Sequence, residues 1–227
     1  MLPTLRDGRG LDALGERTWS ALPEAERAAR YDKIAAGYDR LVSSNLYNRV
    51  VWGVPRARYE TCFEAAFAAA GAGPLLDAGC GSAVLTAPVY QRVPVQAVLL
   101  DLSRGMLELA ATRVPALPLV QADLRELPFQ DATFAAVLHF GIAHVLDDPA
   151  PVFAELARVV RPGGEVHVAC LVRSGRWLGD AWLRLLQASG EVAPARTAEQ
   201  VVALLEPYGE VRASAEGSWV FAVLTVR

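Results

Sequence analysis

Hydrophobic and polar positions follow two regimes along this chain, and the change falls near residue 74. Before it the spacing is helical. PEAERAARYDKIAAGYDRL (23 to 41) opens with proline, which a first helical turn tolerates, and then mixes apolar and charged positions. A second helical stretch from about 55 to 70 opens at Pro55 and ends in the breaker GAGP, 71 to 74. Beyond it, short apolar runs take over. PLLDAG (74 to 79), VQAVLLD (95 to 101), PLVQAD (118 to 123), FAAVLHF (134 to 140) and EVHVACLV (165 to 172) each suit a buried strand. Helices are predicted between them near 84 to 92, 104 to 113 and 149 to 161, an alternation that argues for a parallel sheet covered on both faces. After a helix around 197 to 206, GEVRASAEG (209 to 217) and SWVFAVLTVR (218 to 227) meet at Glu216 and Gly217 and read as an antiparallel hairpin on the sheet's edge. The expected fold is a doubly wound, mostly parallel α/β sheet of seven strands. Residues 74–227 form its core, and residues 1–73 are a helical extension of the same domain.

Composition narrows the class. Hydrophobic residues make up 53% and charged residues 21%, which excludes a disordered chain. No window approaches the ~18 uninterrupted apolar residues of a membrane span. The first ten residues, MLPTLRDGRG, are too polar for a signal-peptide core. Cys62, Cys80 and Cys170 are far apart and form no CxxC pair, so neither a disulfide framework nor a metal site is expected, and the cytoplasm is the expected compartment. The net charge is −3, and Lys33 is the single lysine among scattered arginines. The sequence thus lacks the basic stripe of a nucleic-acid binder.

The chemistry concentrates in LLDAGCGSAVL, 75 to 85. A strand runs into Gly79-Cys80-Gly81, where glycine lets the backbone turn tightly and approach a ligand. The helix that follows turns free N–H groups toward that ligand. Asp101 ends the next strand, where a doubly wound fold places an acid on ribose hydroxyls. Two details argue against a dinucleotide. Val84 stands where its third glycine belongs, and Asp77 puts a carboxylate where a pyrophosphate would be repelled. A cationic ligand with an amino acid moiety suits Asp77 better.

LLDAGCGSA resembles the first motif of class I S-adenosylmethionine-dependent methyltransferases, roughly D/E-x-G-x-G-x-G. VLLDLSRGMLELA (98 to 110) is similar to the second motif and VQADLRELPFQDATFAAV (120 to 137) to the third. LARVVRPGGEVHV (156 to 168) is similar to the turn into the fifth strand. YDKIAAGYDRL (31 to 41) resembles the lid of the subgroup that includes the quinone-biosynthesis C-methyltransferases. The resemblance implies S-adenosylmethionine as cofactor. Its ribose would be held by Asp101, its adenine packed by Leu102 and Leu124 with Met106 close by, and its exocyclic amine taken by Asp123. Asp77, Gly79, Cys80 and Gly81 would form the cradle, with Tyr31 or Tyr38 reaching in from the lid and His139 lining the pocket. The sequence departs from the pattern at Ala83, in place of the third glycine, and at Ala135, in place of a common acid.

The implied activity is methyl transfer to a small acceptor. His139 and His144 are the candidate acid–base groups, although a core position for His139 and a structural hydrogen bond for His144 compete with that role. Cys80 reads as a small filler rather than a nucleophile. Trp177, Leu178, Trp182, Leu183, Leu185 and Leu186 form an apolar stripe that the family places over the pocket mouth. With the lid aromatics Tyr31, Tyr38, Tyr47 and Trp52 they suggest an apolar or aromatic acceptor. The tetrad of amino-methylating nucleic-acid enzymes is missing after the fourth strand, where His139-Phe140-Gly141-Ile142 stands. A monomer or homodimer is expected. The competing readings are a silent cofactor-binding protein and an NAD(P)-dependent oxidoreductase.

Overall fold

The computed structural model describes residues 3–6, 10–26 and 35–227, with the side chains of 26 and 35–38 outside the description. Its strands are β1 (Asp12–Ala13), β2 (Thr18–Ser20), β3 (Pro74–Ala78), β4 (Gln96–Asp101), β5 (Leu119–Gln121), β6 (Phe134–Phe140), β7 (Val160–Leu171), β8 (Gly209–Glu216) and β9 (Trp219–Val226). The helices are α1 (Ala35–Val42), α2 (Asn45–Tyr47), α3 (Arg56–Ala70), α4 (Ala87–Tyr90), α5 (Arg104–Arg113), α6 (Ala150–Val159), α7 (Trp177–Ala188) and α8 (Ala198–Leu205).

The strands form one sheet in the order β1-β2-β5-β4-β3-β6-β7-β9-β8. β2 through β7 pair parallel, and β9 and β8 close one edge antiparallel. The expected seven strands are all present, but the sheet has nine. The two additional strands come from the N-terminal extension, which is therefore not purely helical. β5 is only three residues long, and its outer edge would leave backbone groups unpaired. β2 covers that edge, with Thr18, Trp19 and Ser20 beside Leu119, Val120 and Gln121. The buried Ser20 hydroxyl donates to Gln121 Oε1 at 3.2 Å, and Gln121 Nε2 donates to the Leu102 carbonyl at 3.0 Å.

Side chains alternate between two apolar layers, as a central strand with helices on both faces requires. Leu75, Leu99, Ala136 and Leu138 meet α3, α4, α5 and α7 on one face. Leu76, Leu100, Val137 and Val168 meet α6 and α8 on the other. Tyr59, Phe63 and Phe67 of α3 are buried against β6 and β7, so the extension from Arg56 onward is part of the packed core. The helix starts are set locally. Ser103 Oγ accepts from Met106 N at 3.2 Å ahead of α5, and Thr197 and Gln200 form a reciprocal capping box at α8.

Candidate functional site

The chain runs from β3 outward to β4 and β5, then crosses back to β6 on the other side of β3. This reversal opens a crevice at the carboxyl ends of β3, β4 and β6, the place where open α/β sheets bind ligands. The glycine loop lies there. Gly79 N and Cys80 N donate to the Leu100 carbonyl at 2.7 and 3.0 Å, which fixes the loop to β4. Gly79 (φ 83°) has no room for a side chain, because a Cβ would come within 2.6 Å of Ile142 Cγ1. At Gly81 (φ 54°) a Cβ would meet nothing within 4 Å, so the loop backbone there faces open space. Ala83, in the third-glycine position, also has positive φ (57°) while being buried.

Two carboxylates flank the loop. Asp101 Oδ2 accepts from Gly81 N at 2.8 Å and Oδ1 from Ser103 N at 2.8 Å, so one side chain ties the loop to the start of α5. Asp77 is buried beneath the loop and accepts from the Tyr90 hydroxyl at 3.0 Å. Burial pushes its pKa up to about 7; the Tyr90 hydrogen bond opposes that rise and the nearby Asp101 charge adds to it. Cys80 Sγ lies 3.4 Å from the Gly81 carbonyl, and burial together with both carboxylates holds its thiol well above the usual range. That environment disfavours a thiolate and agrees with a filler role.

The other candidate cofactor residues follow in order. Leu102 follows β4 and is 40% exposed, while Met106 is buried in the first turn of α5. Asp123 and Leu124 follow β5. Asp123 is engaged by its neighbour Arg125, whose Nη2 donates to Oδ2 at 2.6 Å and Nε to Oδ1 at 3.0 Å, and this lowers the Asp123 pKa. Arg125 is largely exposed, and an exposed pair of this kind is worth about 1 kcal/mol or less. A ligand can therefore replace it at small cost.

The histidines stand apart from this cradle. His139 is fully buried: its Nδ1 lies 2.8 Å from the Ala78 carbonyl and its ring meets Phe153 edge-on at 6.2 Å. That bond requires a proton on Nδ1, and burial pushes the pKa down to about 4, so at pH 7 the ring is neutral with its proton there. The ring is thus enclosed between the end of β3 and α6. His144 sits in the turn Ala143–Val145, where Nδ1 accepts from Leu171 N at 3.4 Å and the ring faces Trp219. Its pKa is likewise pushed down to about 4, by burial first and by His139 second.

Sequence reasoning missed the link between lid and loop. Ser82 Oγ donates to Asp39 Oδ1 at 2.6 Å. Arg113 donates to Asp39 Oδ2 at 2.8 Å and to the Ser82 carbonyl at 2.6 Å. Asp39 belongs to α1 and Arg113 ends α5, so one clasp joins α1, the glycine loop and the helix after Asp101. Tyr31 lies outside the described residues, and Tyr38 is on α1 with its side chain outside the description. The apolar stripe of α7 does not share one face: Leu183 is buried and Trp182 and Leu186 pack on the core, while Trp177 and Leu185 are 80% and 56% exposed. Trp52 is buried, and Tyr47 lies between it and Trp182. A separate cavity of about 650 Å³ lies beside the start of β7, lined by Arg58, Cys62, Glu165, His167 and Arg212 among others, away from the crevice.

Comparison with known proteins agrees with this geometry. Residues 76–168 match the methyltransferase domain family. The demethylmenaquinone methyltransferase of Streptomyces griseus is 34% identical over 154 residues, covering 67% of this chain and 63% of that protein. The chain spans 58% to 63% of the length of the first curated relatives it matches. Among solved structures, an S-adenosylmethionine-dependent methyltransferase of Thermotoga maritima superposes with a TM-score of 0.66 at 18% identity, covering 87% of this chain and 98% of that one. The geranyl diphosphate C-methyltransferase of Streptomyces coelicolor A3(2), solved with S-adenosyl-L-homocysteine, gives 0.60 at 14% identity, covering 87% and 98%. At these identities the structural likeness is one of fold. By sequence, residues 76–168 carry a methyltransferase domain, and by fold the chain is similar over most of its length to S-adenosylmethionine-dependent methyltransferases.

Proposed function

We propose that the protein moves a methyl group from S-adenosylmethionine to a small apolar or aromatic acceptor in the cytoplasm. The observation that carries the reading is the convergence of Asp77, the open backbone at Gly81 and Asp101 on one crevice at the sheet's reversal. Leu102, Met106, Asp123 and Leu124 line the adenine side, Asp101 holds the ribose and Asp77 faces the cationic amino acid end. When bound, the cofactor supplies an activated methyl on a sulfonium. The chain's own task is to align the acceptor with that methyl and exclude water, and alignment of this kind contributes much of the rate. The buried His139 holds the end of β3 through Ala78. His144, neutral at pH 7, braces the turn after β6 and is a weak base there. The acceptor therefore brings its own electron-rich atom or an already acidic proton.

Calorimetric titration with S-adenosylhomocysteine and with NADH, on the native chain and on Asp101→Ala, tests the reading. S-adenosylhomocysteine alone should bind, and Asp101→Ala should weaken it at least about tenfold, or 1.4 kcal/mol. Binding of NADH alone overturns the reading in favour of a reductase. Binding without methyl transfer to any of a panel of phenols, quinols and prenyl compounds overturns the enzymatic part and leaves a cofactor-binding protein.

A further inference from the structure

α2, the π-helical turn that continues it (Asn48–Trp52) and α7 pack together into one ledge. Tyr47 meets Trp182 edge-on with ring centroids 6.4 Å apart, and Gly179 lies so close to this turn that a Cβ would stand 3.3 Å from the Val51 carbonyl. The outer side of the ledge and the end of α1 carry Leu41, Leu46, Val50, Trp177 and Leu185, exposed by 44, 73, 52, 80 and 56%. Leu102, in the crevice, is the sixth large apolar side chain this exposed among the described residues. Single exposed apolar residues are ordinary, but four on two packed segments, with Leu41 on the helix just before them, are not.

The charge on these segments is one-sided. Arg40, Arg49, Arg173, Arg176 and Arg184 are exposed. Residues 40–54 contain no acid, and 173–190 contain only Asp180, which is buried and accepts from Ser174 N and Gly175 N. Glu191, one residue past the second segment, is exposed and close enough to Tyr47 to act on its hydroxyl, so the ledge carries one exposed carboxylate against five arginines. This arginine-rich face belongs to a chain of net charge −3.

We propose that the ledge docks on an anionic lipid surface, with Trp177, Leu46 and Val50 in the headgroup region and the arginines on lipid phosphates. Exposed aliphatic and indole side chains among arginines, on a face with little carboxylate, match such a surface. A second copy of the chain would set arginine against arginine. A nucleic acid would have no use for exposed leucine and valine. No helix among the described residues is long and apolar enough to cross a membrane, so the contact is peripheral. The inference deepens the proposed function, because an acceptor dissolved in a bilayer would meet the site at its lid, but it is measured without methyl transfer.

The experiment is co-sedimentation of the full chain with vesicles of phosphatidylcholine alone and of phosphatidylcholine mixed with phosphatidylglycerol. Binding should be confined to the anionic vesicles and fall at least about tenfold in high salt. Trp177→Ser combined with Leu46→Ser, and separately Arg176→Ser combined with Arg184→Ser, should each weaken it about tenfold while circular dichroism stays native. Equal binding to neutral vesicles, no binding, or affinity untouched by either pair overturns the proposal. A dimer in sedimentation velocity that the same substitutions dissolve assigns the face to a second copy, and displacement of the vesicles by RNA assigns it to nucleic acid; both overturn it. Titration with S-adenosylhomocysteine on the same preparation shows separately whether the cofactor reading stands.

Discussion

Ala83 is the residue where family pattern and backbone physics meet most directly. Its φ of 57° lies in the left-handed region that the motif's third glycine would occupy without strain. A side chain there costs about 1–2 kcal/mol. The alanine recovers part of this, because a more flexible unfolded chain makes glycine less favourable by about 0.4–1 kcal/mol and the buried methyl adds about 0.8 kcal/mol. These terms nearly cancel, which explains why alanine is tolerated. Ala83→Gly should therefore leave urea stability within about 1 kcal/mol of native and keep S-adenosylhomocysteine affinity. Ala83→Val adds a β-branched side chain in a conformation it resists and should cost more than about 2 kcal/mol. Equal stability of the two variants would show that the loop relaxes out of the left-handed region. The candidate residues Asp77, Gly79, Gly81 and Asp101 were proposed from their positions at the ends of two neighbouring strands and from the motif they resemble, and the fold places them near one another. His139 shows the limit of that logic, because position at a strand's end does not say whether the ring points to the crevice or into the core.

The clasp of Asp39, Ser82 and Arg113 decides at the level of elements how α1 sits on the site. Removing the cation from a buried pair costs about 3–5 kcal/mol, but Arg113 is 29% exposed and water screens part of that loss. Arg113→Ala should cost about 2 kcal/mol, and hydrogen exchange in residues 35–42 should rise while β3 and β4 stay protected. Arg113→Lys should rescue only part of it, since an ammonium lacks the fork that reaches both Asp39 and the Ser82 carbonyl. Uniform loss of protection across the sheet would mean that the clasp stabilises the whole fold rather than seating the lid. Nothing local announces this contact. Asp39 and Arg113 are 74 residues apart, and a lone arginine in a helix's last turn reads as an ordinary terminal cation. The seven core strands were legible as short apolar runs between helical stretches, β5 among them because its three residues lie in the run PLVQAD. β1 and β2, at two and three residues, are too short for any alternation, and they exist only because β5 has an edge to cover.

Opposed titrations on the adjacent strands β3 and β6 give the whole molecule a distinctive dependence of stability on pH. His139 and His144 have pKa values near 4 in the fold, against 6.5 when unfolded. Between those values the unfolded chain binds up to two more protons, so stability is present above pH 6.5 and is lost as pH falls toward 4. His167, also pushed down by burial, acts with the same sign. Asp77 acts against them. Its pKa near 7 in the fold, against 3.8 unfolded, means the native state keeps a proton that the unfolded chain releases, so its contribution is present below pH 4 and is lost as pH rises through 7. In the native protein the aspartate thus offsets about one proton of the histidine slope between pH 4 and 6.5. Asp77→Asn removes that offset. Its stability, read from urea midpoints across pH 4.5 to 6.5, should rise more steeply with pH by about one proton, and its advantage over native should be largest above pH 7. Parallel profiles would mean that Asp77 ionises normally in the folded chain. The aspartate would then stand as a second carboxylate beside Asp101 before any cofactor arrives, and its ionisation would not make cofactor affinity change as pH crosses 7.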